Sequence, residues 1–205
     1  MALHDPSAGP PAIPAHELQH VVGLFERAGA GRVVRPLPAP VVWAVYVFVN
    51  GFITIGLLAL VAVVTGVPFV FPSLGPTAYL LFFSPRAEAS SPHNTLVGHA
   101  IGLACGYGAY RLAGLRYPGA PAVHGLDWPR IVAAALSLAA TGALMILLKA
   151  SHPPAGATTL IVSLGIIARP AYLVVIEAAV VLLTAQAFCI NRLSGVRYPV
   201  WKARR

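Results

Sequence analysis

Two short segments carry the residue types best suited to chemistry, Phe71-Pro-Ser-Leu-Gly-Pro-Thr-Ala78 and His152-Pro-Pro-Ala-Gly-Ala-Thr-Thr159. In each, proline stands where a helix would start, presetting φ and removing an N–H that would lack a partner there. Gly75 and Gly156 permit close approach, while Ser73, Thr77, Thr158 and Thr159 supply hydroxyls. A helix N-terminus offers free N–H groups and about half a positive charge. Two such tips at membrane depth would bind a small anion without a full countercharge. Ser73, Gly75, Thr77, His152, Pro153, Gly156, Thr158 and Thr159 are therefore the expected lining of an anion path. The plainer reading is a pair of packing turns in which proline and glycine only redirect the chain. Duplication of the segment and its hydroxyl content weigh against that reading.

Four ionisable groups fall in or at the edge of apolar stretches: His99, Lys149, His152 and Glu177. Such groups usually face a cavity or a partner, because charge at the bilayer centre costs several kcal/mol. Protonated, His152 would attract an anion; neutral, it could still donate from one ring nitrogen. Its alternative is an interfacial histidine that holds a turn. Glu177, together with His99, is expected to couple proton movement to anion movement, against the alternative of a neutral carboxyl bonded between helices. Lys149 reads as a side chain snorkelling to headgroups. No metal and no cofactor is expected, since the histidines lie in separate segments without metal-ligand spacing. A membrane-embedded metal enzyme using His93, His99, His152 and Glu177 is the weaker alternative to transport. A non-transporting assembly or sensor subunit is another, disfavoured because little protein lies outside the bilayer to relay a signal.

The elements that must position these groups follow from composition. Of 205 residues, 58% are apolar and 10% charged, and mean hydropathy is +0.77. Soluble domains carry about 25% charge. From Pro36 to Pro85 there is no Asp, Glu, Lys, Arg or His, a window well beyond the roughly 20 residues a spanning helix needs. A soluble enzyme, a nucleic-acid binder and a secreted disulfide scaffold are excluded. The net charge of +8 comes from cations clustered at the ends of apolar segments, which fits lipid headgroups and orientation rather than nucleic acid. Cys105 and Cys189 read as buried thiols without a redox role.

Residues 1–14, rich in Pro, Ala and Gly, are expected to be disordered, and 15–28 to form an amphipathic helix on the membrane surface. Four spans are expected, at about 41–65, 93–112, 128–149 and 171–192. Two short proline-led apolar segments, 68–83 and 153–167, lie between them. Shifting the chain by 81 residues places Arg111-Leu-Ala-Gly-Leu-Arg-Tyr-Pro118 on Arg192-Leu-Ser-Gly-Val-Arg-Tyr-Pro199, and Pro72, Gly75 and Thr77 on Pro153, Gly156 and Thr158. This is the mark of an internal repeat, with copies at 40–118 and 128–199 and a basic tail at 200–205. The fold expected is all-α and integral to the membrane, with four transmembrane helices and two broken half-helices. A half-helix of roughly 10 residues reaches only ~15 Å, half the ~30 Å core. On that ground the short helices are expected to re-enter on one side, which makes the copies parallel. If they cross instead, the copies are inverted, and charge barely separates the two. Gly98, Gly102 and Gly106 form a small-residue ridge for close helix packing. Asn50 reads as an interhelical bridge.

The segments His152–Thr158 and Phe71–Thr77, with Pro92-His93-Asn94 between them, resemble the HPP family of integral membrane proteins. The resemblance covers about Pro40 to Asn191. It implies four transmembrane helices and, because plant plastid and cyanobacterial members are associated with nitrite transport, a small-anion transporter with nitrite as first substrate. The expected setting is the inner (plasma) membrane with both termini cytoplasmic. The expected partners are the anion, membrane lipids and further copies in a homo-oligomer, with no nucleic acid.

Overall fold

The computed structural model describes residues 38–115 and 125–203, together with Gln19 and residues 21–24. The expected disordered start, most of the 15–28 surface helix and the last two residues of the basic tail lie outside the described residues. The described part of 15–28 is helical, and Val21 is buried in the main core.

Among the described residues the chain is helical and contains no strand. The helices are α1 (Ala39–Thr65), α2 (Leu74–Phe83), α3 (Pro92–Leu112), α4 (Trp128–Leu147), α5 (Ala155–Ser163) and α6 (Pro170–Leu193), with a 3-10 turn at Glu88–Ser90. Prolines stand in the first turn of α1, α3, α4 and α6, where their missing N–H costs nothing. Ser91 caps α3 by accepting from the Asn94 amide (3.3 Å), and Asp127 caps α4 by accepting from the Arg130 amide (2.9 Å).

Among the described residues three helices, α1, α4 and α6, are long and apolar enough to cross a membrane. In α1 the buried residues Val42, Trp43, Tyr46, Asn50, Thr54 and Leu58 form one stripe. Its other faces are apolar and uncovered, with Phe48 73% and Val63 81% exposed, as a lipid-facing helix requires. α3 has 21 residues, enough for about 31 Å. Its apolar character is diluted by Asn94, Thr95, His99 and glycines, and it packs against α4, α5 and α6.

Hydrogen bonds fix how the chain runs through the bundle. At one end the Tyr198 hydroxyl donates to the Ser90 carbonyl (2.6 Å), the His93 amide to the Trp201 carbonyl (3.0 Å) and Asn94 Nδ2 to the Ser151 carbonyl (3.1 Å). The turn after α2, the start of α3, the approach to α5 and the tail after α6 are thus gathered together. Near the start of α1, Tyr46 joins them. Its hydroxyl donates to Asn191 Oδ1 (3.0 Å), and Asn191 Nδ2 donates to the Leu81 carbonyl (3.2 Å). At the opposite end, one cavity is walled by the last turns of α3 and the start of α6. Another lies between Pro68–Pro72 and Ile166–Tyr172.

Residues 66–83 therefore run from the opposite end to the tail end, and residues 150–169 run the other way. This corrects the expected re-entrant path, in which each short segment leaves where it entered. The length argument considered the helix alone. Five extended residues add roughly 16 Å, and with ~15 Å of helix the segment reaches from end to end. The starts of α2 and α5 and the ends of α3 and α6 are each 81 residues apart.

α3 and α5 run in the same direction in close contact. A Cβ on Gly98 would lie 2.7 Å from His152 Cβ, one on Gly102 2.8 Å from the Ala155 carbonyl oxygen, and one on Gly106 2.7 Å from the Thr159 carbonyl oxygen. The glycine ridge thus seats α5 backbone to backbone. Cys189 is exposed and Cys105 half-buried, so neither is the buried thiol expected. An apolar span that faces outward places its thiols outward too. Asn50 donates from Nδ2 to the Tyr46 carbonyl in its own helix (2.8 Å) rather than bridging to another.

Candidate functional site

α2 and α5 approach the bundle centre from opposite directions, and their first turns meet around one side chain of α3. Thr77 Oγ1 lies 3.0 Å from His99 Nε2, and Thr158 Oγ1 lies 2.8 Å from His99 Nδ1. Thr77 and Thr158 are the threonines that the 81-residue offset superposes. Thr77 Oγ1 also lies 3.3 Å from His152 Nε2 and 3.0 Å from the Ser73 carbonyl oxygen. His152 Nδ1 donates to the Ala89 carbonyl (2.7 Å), and the two imidazole rings stand 5.0 Å apart between centroids. Ser73, Thr77, His99, His152 and Thr158 are all 0% exposed, and Ser73 Oγ has no hydrogen-bond partner.

Each group arrives there for a local reason. His152 precedes the Pro153–Pro154 turn that opens α5, and its Cβ rests in the gap left by Gly98. Thr77 sits one turn inside α2, facing inward with Leu74, Ala78 and Leu81. His99 is two turns into α3, on its buried face with Thr95, Gly102 and Gly106.

The other expected lining residues are not in this cluster. Thr159 Oγ1 turns to Thr141 Oγ1 on α4 (3.0 Å) and to the Ala155 carbonyl (3.1 Å). Gly156 packs toward Leu138, 3.3 Å from its would-be Cβ. Gly75 and Pro153 are exposed, with nothing near a Gly75 Cβ. Glu177 stands apart on α6. Its Oε2 is buried without a partner, while both ring nitrogens of His99 are within hydrogen-bond distance of threonines. The tip amides of α5 are not free either: Ala155, Gly156 and Ala157 N–H groups donate to His152, Pro153 and Pro154 carbonyls (3.0, 3.0 and 3.1 Å). At the α5 tip, hydroxyl and imidazole rather than open backbone amides face the centre.

Sequence reasoning missed Ala89, which contributes only a carbonyl and leaves no side-chain signal. It also missed Thr141, although Ser137, Thr141 and Met145 are buried at four-residue spacing. Among the described residues no three His, Cys, Asp or Glu side chains gather to hold a metal.

Polar cavities flank the enclosed cluster at both ends. The tail-end cavity, about 190 Å³, is lined by Glu88, Asn94, Lys149, Lys202 and Ala203. Lys149 holds the left-handed conformation, φ 52°, where a side chain is uncommon. The turns after α1, α3, α5 and α6 give that conformation to Gly66, Gly114, Gly165 and Gly195. The opposite cavity, about 640 Å³, includes Tyr107, Tyr110, Arg111 and Arg169. In the segment after α6, Tyr198 is buried in the main core, and burial pushes its phenol above the ordinary tyrosine range.

No curated protein and no solved structure shows significant similarity to the chain. The model of the HPP transmembrane region matches residues 36–199, which takes in α1 to α6. The chain belongs to the HPP family of transmembrane proteins.

Proposed function

We propose that the chain is a multi-pass inner-membrane transporter or channel for a small inorganic anion, with nitrite the first substrate to test. The observation that carries this reading is the meeting of the α2 and α5 first turns on the two nitrogens of His99. A buried, hydrogen-bonding centre lies inside helices whose outer faces are apolar, with cationic cavities toward both ends. Broken helices at membrane depth are tolerated where protein buries them or a cavity needs them, and repeat-built transporters use such breaks for binding. The enclosed cluster corresponds to an occluded state, opened alternately toward either cavity.

In this reading the chain arose by duplication. The 81-residue offset shared by sequence motifs and helix boundaries supports two copies. The opposed directions of α2 and α5 support inverted rather than parallel ones, with six passages through the bilayer. With six passages, the side that holds both termini would carry ten of the fourteen Lys and Arg, which favours cytoplasmic termini by the positive-inside rule.

Nitrite uptake into vesicles containing the purified chain tests the function, with nitrate and chloride as competitors. Flux of none of the three would end the proposal. Single cysteines at Ser84 and Ala203, in a background without Cys105 and Cys189, test the topology. Both should react from one side, and labelling from opposite sides would restore re-entry.

A further inference from the structure

The central hydrogen bonds can be counted proton by proton. A carbonyl only accepts, so the Ala89 oxygen requires the proton of His152 on Nδ1. A neutral His152 then has a bare Nε2, and the one neighbour able to donate to it is the Thr77 hydroxyl. With its single proton spent there, Thr77 Oγ1 must accept from His99 Nε2–H. His99 Nδ1 is then bare and accepts from Thr158, whose hydroxyl has no other partner among the described residues. With both rings neutral, one arrangement satisfies every group, and in it the two histidines are opposite tautomers.

The same geometry has room for one more proton. If His152 gains it, Nε2–H donates to Thr77 Oγ1, and the Thr77 hydroxyl turns to the Ser73 carbonyl at 3.0 Å. Every bond is kept and His99 is unchanged. Placing the proton on His99 instead would drive Nδ1–H against Thr158, which then has nowhere to send its own hydrogen. The extra proton therefore belongs on His152, with Thr77 as its two-position rotor.

Charge makes the second state useful. α2 and α5 contain no Asp, Glu, Lys or Arg, and the 3-10 turn contributes only Glu88, which is exposed beside Ala89. α3 faces His152 with His99 and keeps Arg111 in its last turn. Arg130 lies in the first turn of α4 with Lys149 after its end, and α6 carries Glu177 and Arg192. α2 and α5 bring no cation of their own, so an imidazolium is what the cluster itself can offer to offset an anion whose burial alone would be costly.

Building on the transport reading, we propose that His152 is a proton-carrying site, switched by rotation of the Thr77 hydroxyl between His152 Nε2 and the Ser73 carbonyl, so that proton and anion cross together. The proton taken up on one side is returned to water on the other, with no net chemistry.

Nitrogen NMR of the full chain, histidine-labelled and assigned by single His→Gln variants, reads the switch without transport. At neutral pH, His152 should be protonated on Nδ1 and His99 on Nε2, and acidification should charge His152 first. Like tautomers, or His99 charging first, would overturn the proposal. In vesicles, nitrite uptake above that of protein-free controls should carry protons inward and rise about tenfold per unit of external acidification while His152 is mostly neutral. The ratio of protons to nitrite should collapse in Thr77→Val and return in Thr77→Ser. Uptake without proton entry, or a ratio abolished by Glu177→Gln and kept in Thr77→Val, would refute the switch and leave anion transport standing. Absence of all anion flux would instead count against the transport reading, with the NMR result still deciding the switch.

Discussion

The segments that open α2 and α5 begin alike, with proline, then Gly-x-Thr at matching positions, but the protein holds them in different ways. α5 is pressed along the glycine ridge of α3, its backbone oxygens where Cβ atoms would otherwise be. α2 meets open space at Gly75, and its cap residue Ser73 leaves Oγ unpartnered. The aligned positions also differ: where the second segment has His152, the first has Phe71, buried in the apolar core. A near-symmetric backbone thus carries one-sided chemistry. The rigid half supplies the imidazole and the looser half supplies the hydroxyl that answers it.

The largest expected effect comes from attacking the rigid half. Gly102→Leu drives a side chain into the Ala155 carbonyl, and overpacking of this kind costs about 1–3 kcal/mol even where neighbours can yield. Backbone cannot, so loss of the folded form by size-exclusion profile and melting temperature is expected. Gly75→Ala should leave both intact, and equal damage from the two would erase the contrast. Next is His152→Phe, which makes the second segment copy the first. It removes the acceptor facing Thr77 and strands the Ala89 carbonyl, each worth about 1–3 kcal/mol when buried. Anion flux should drop at least about tenfold with the chain still inserted, whereas Phe71→Leu should change flux little.

Smaller effects lie at the two ends. Arg111→Gln with Arg169→Gln should raise the half-saturating anion concentration roughly two- to fivefold at low salt and much less at high salt, because surface attraction is screened. A salt-independent change would place these arginines elsewhere in the mechanism. Lys149→Gly should raise the melting temperature by relieving a left-handed side chain worth about 1 kcal/mol, while weakening anion capture at the tail end alone. The smallest effect is at Tyr198. Its raised phenol pKa means that stability from this group is complete below the free value near 10 and is lost as pH rises beyond it. Tyr198→Phe should cost about 1 kcal/mol at neutral pH and flatten the alkaline decline seen by thermal melts.

Much of this was legible before any coordinates. Pro72, Gly75 and Thr77 recurring as Pro153, Gly156 and Thr158 marked both half-helices, and α2 and α5 begin within the two segments singled out. The ridge at Gly98, Gly102 and Gly106 was readable as a packing seam because four-residue spacing lines one helical face. Direction was not readable. Whether 66–83 turns back or runs through depends on extended residues that carry no periodicity, and on tail contacts such as Tyr198 with Ser90, more than a hundred positions away in sequence. The meeting of His99 with His152 was equally hidden, since two lone histidines 53 residues apart have no spacing to recognise. The outward placement of Gly75 and Pro153 was hidden for a related reason: each stands at the opening of a half-helix, and spacing does not say which side of that opening faces the centre.

The run from Pro68 to Pro72 has no helical ladder of its own, so it behaves as a tether and not as a rod, resisting stretch but not slack. α2 is moored at its last turns, where Asn191 grips the Leu81 carbonyl and Phe82 lies against Tyr46. A helix fastened at its foot and roped at its head tips more readily than it slides. In the proposed transport cycle the first half-helix is accordingly the element that swings its head away, while the second stays in place.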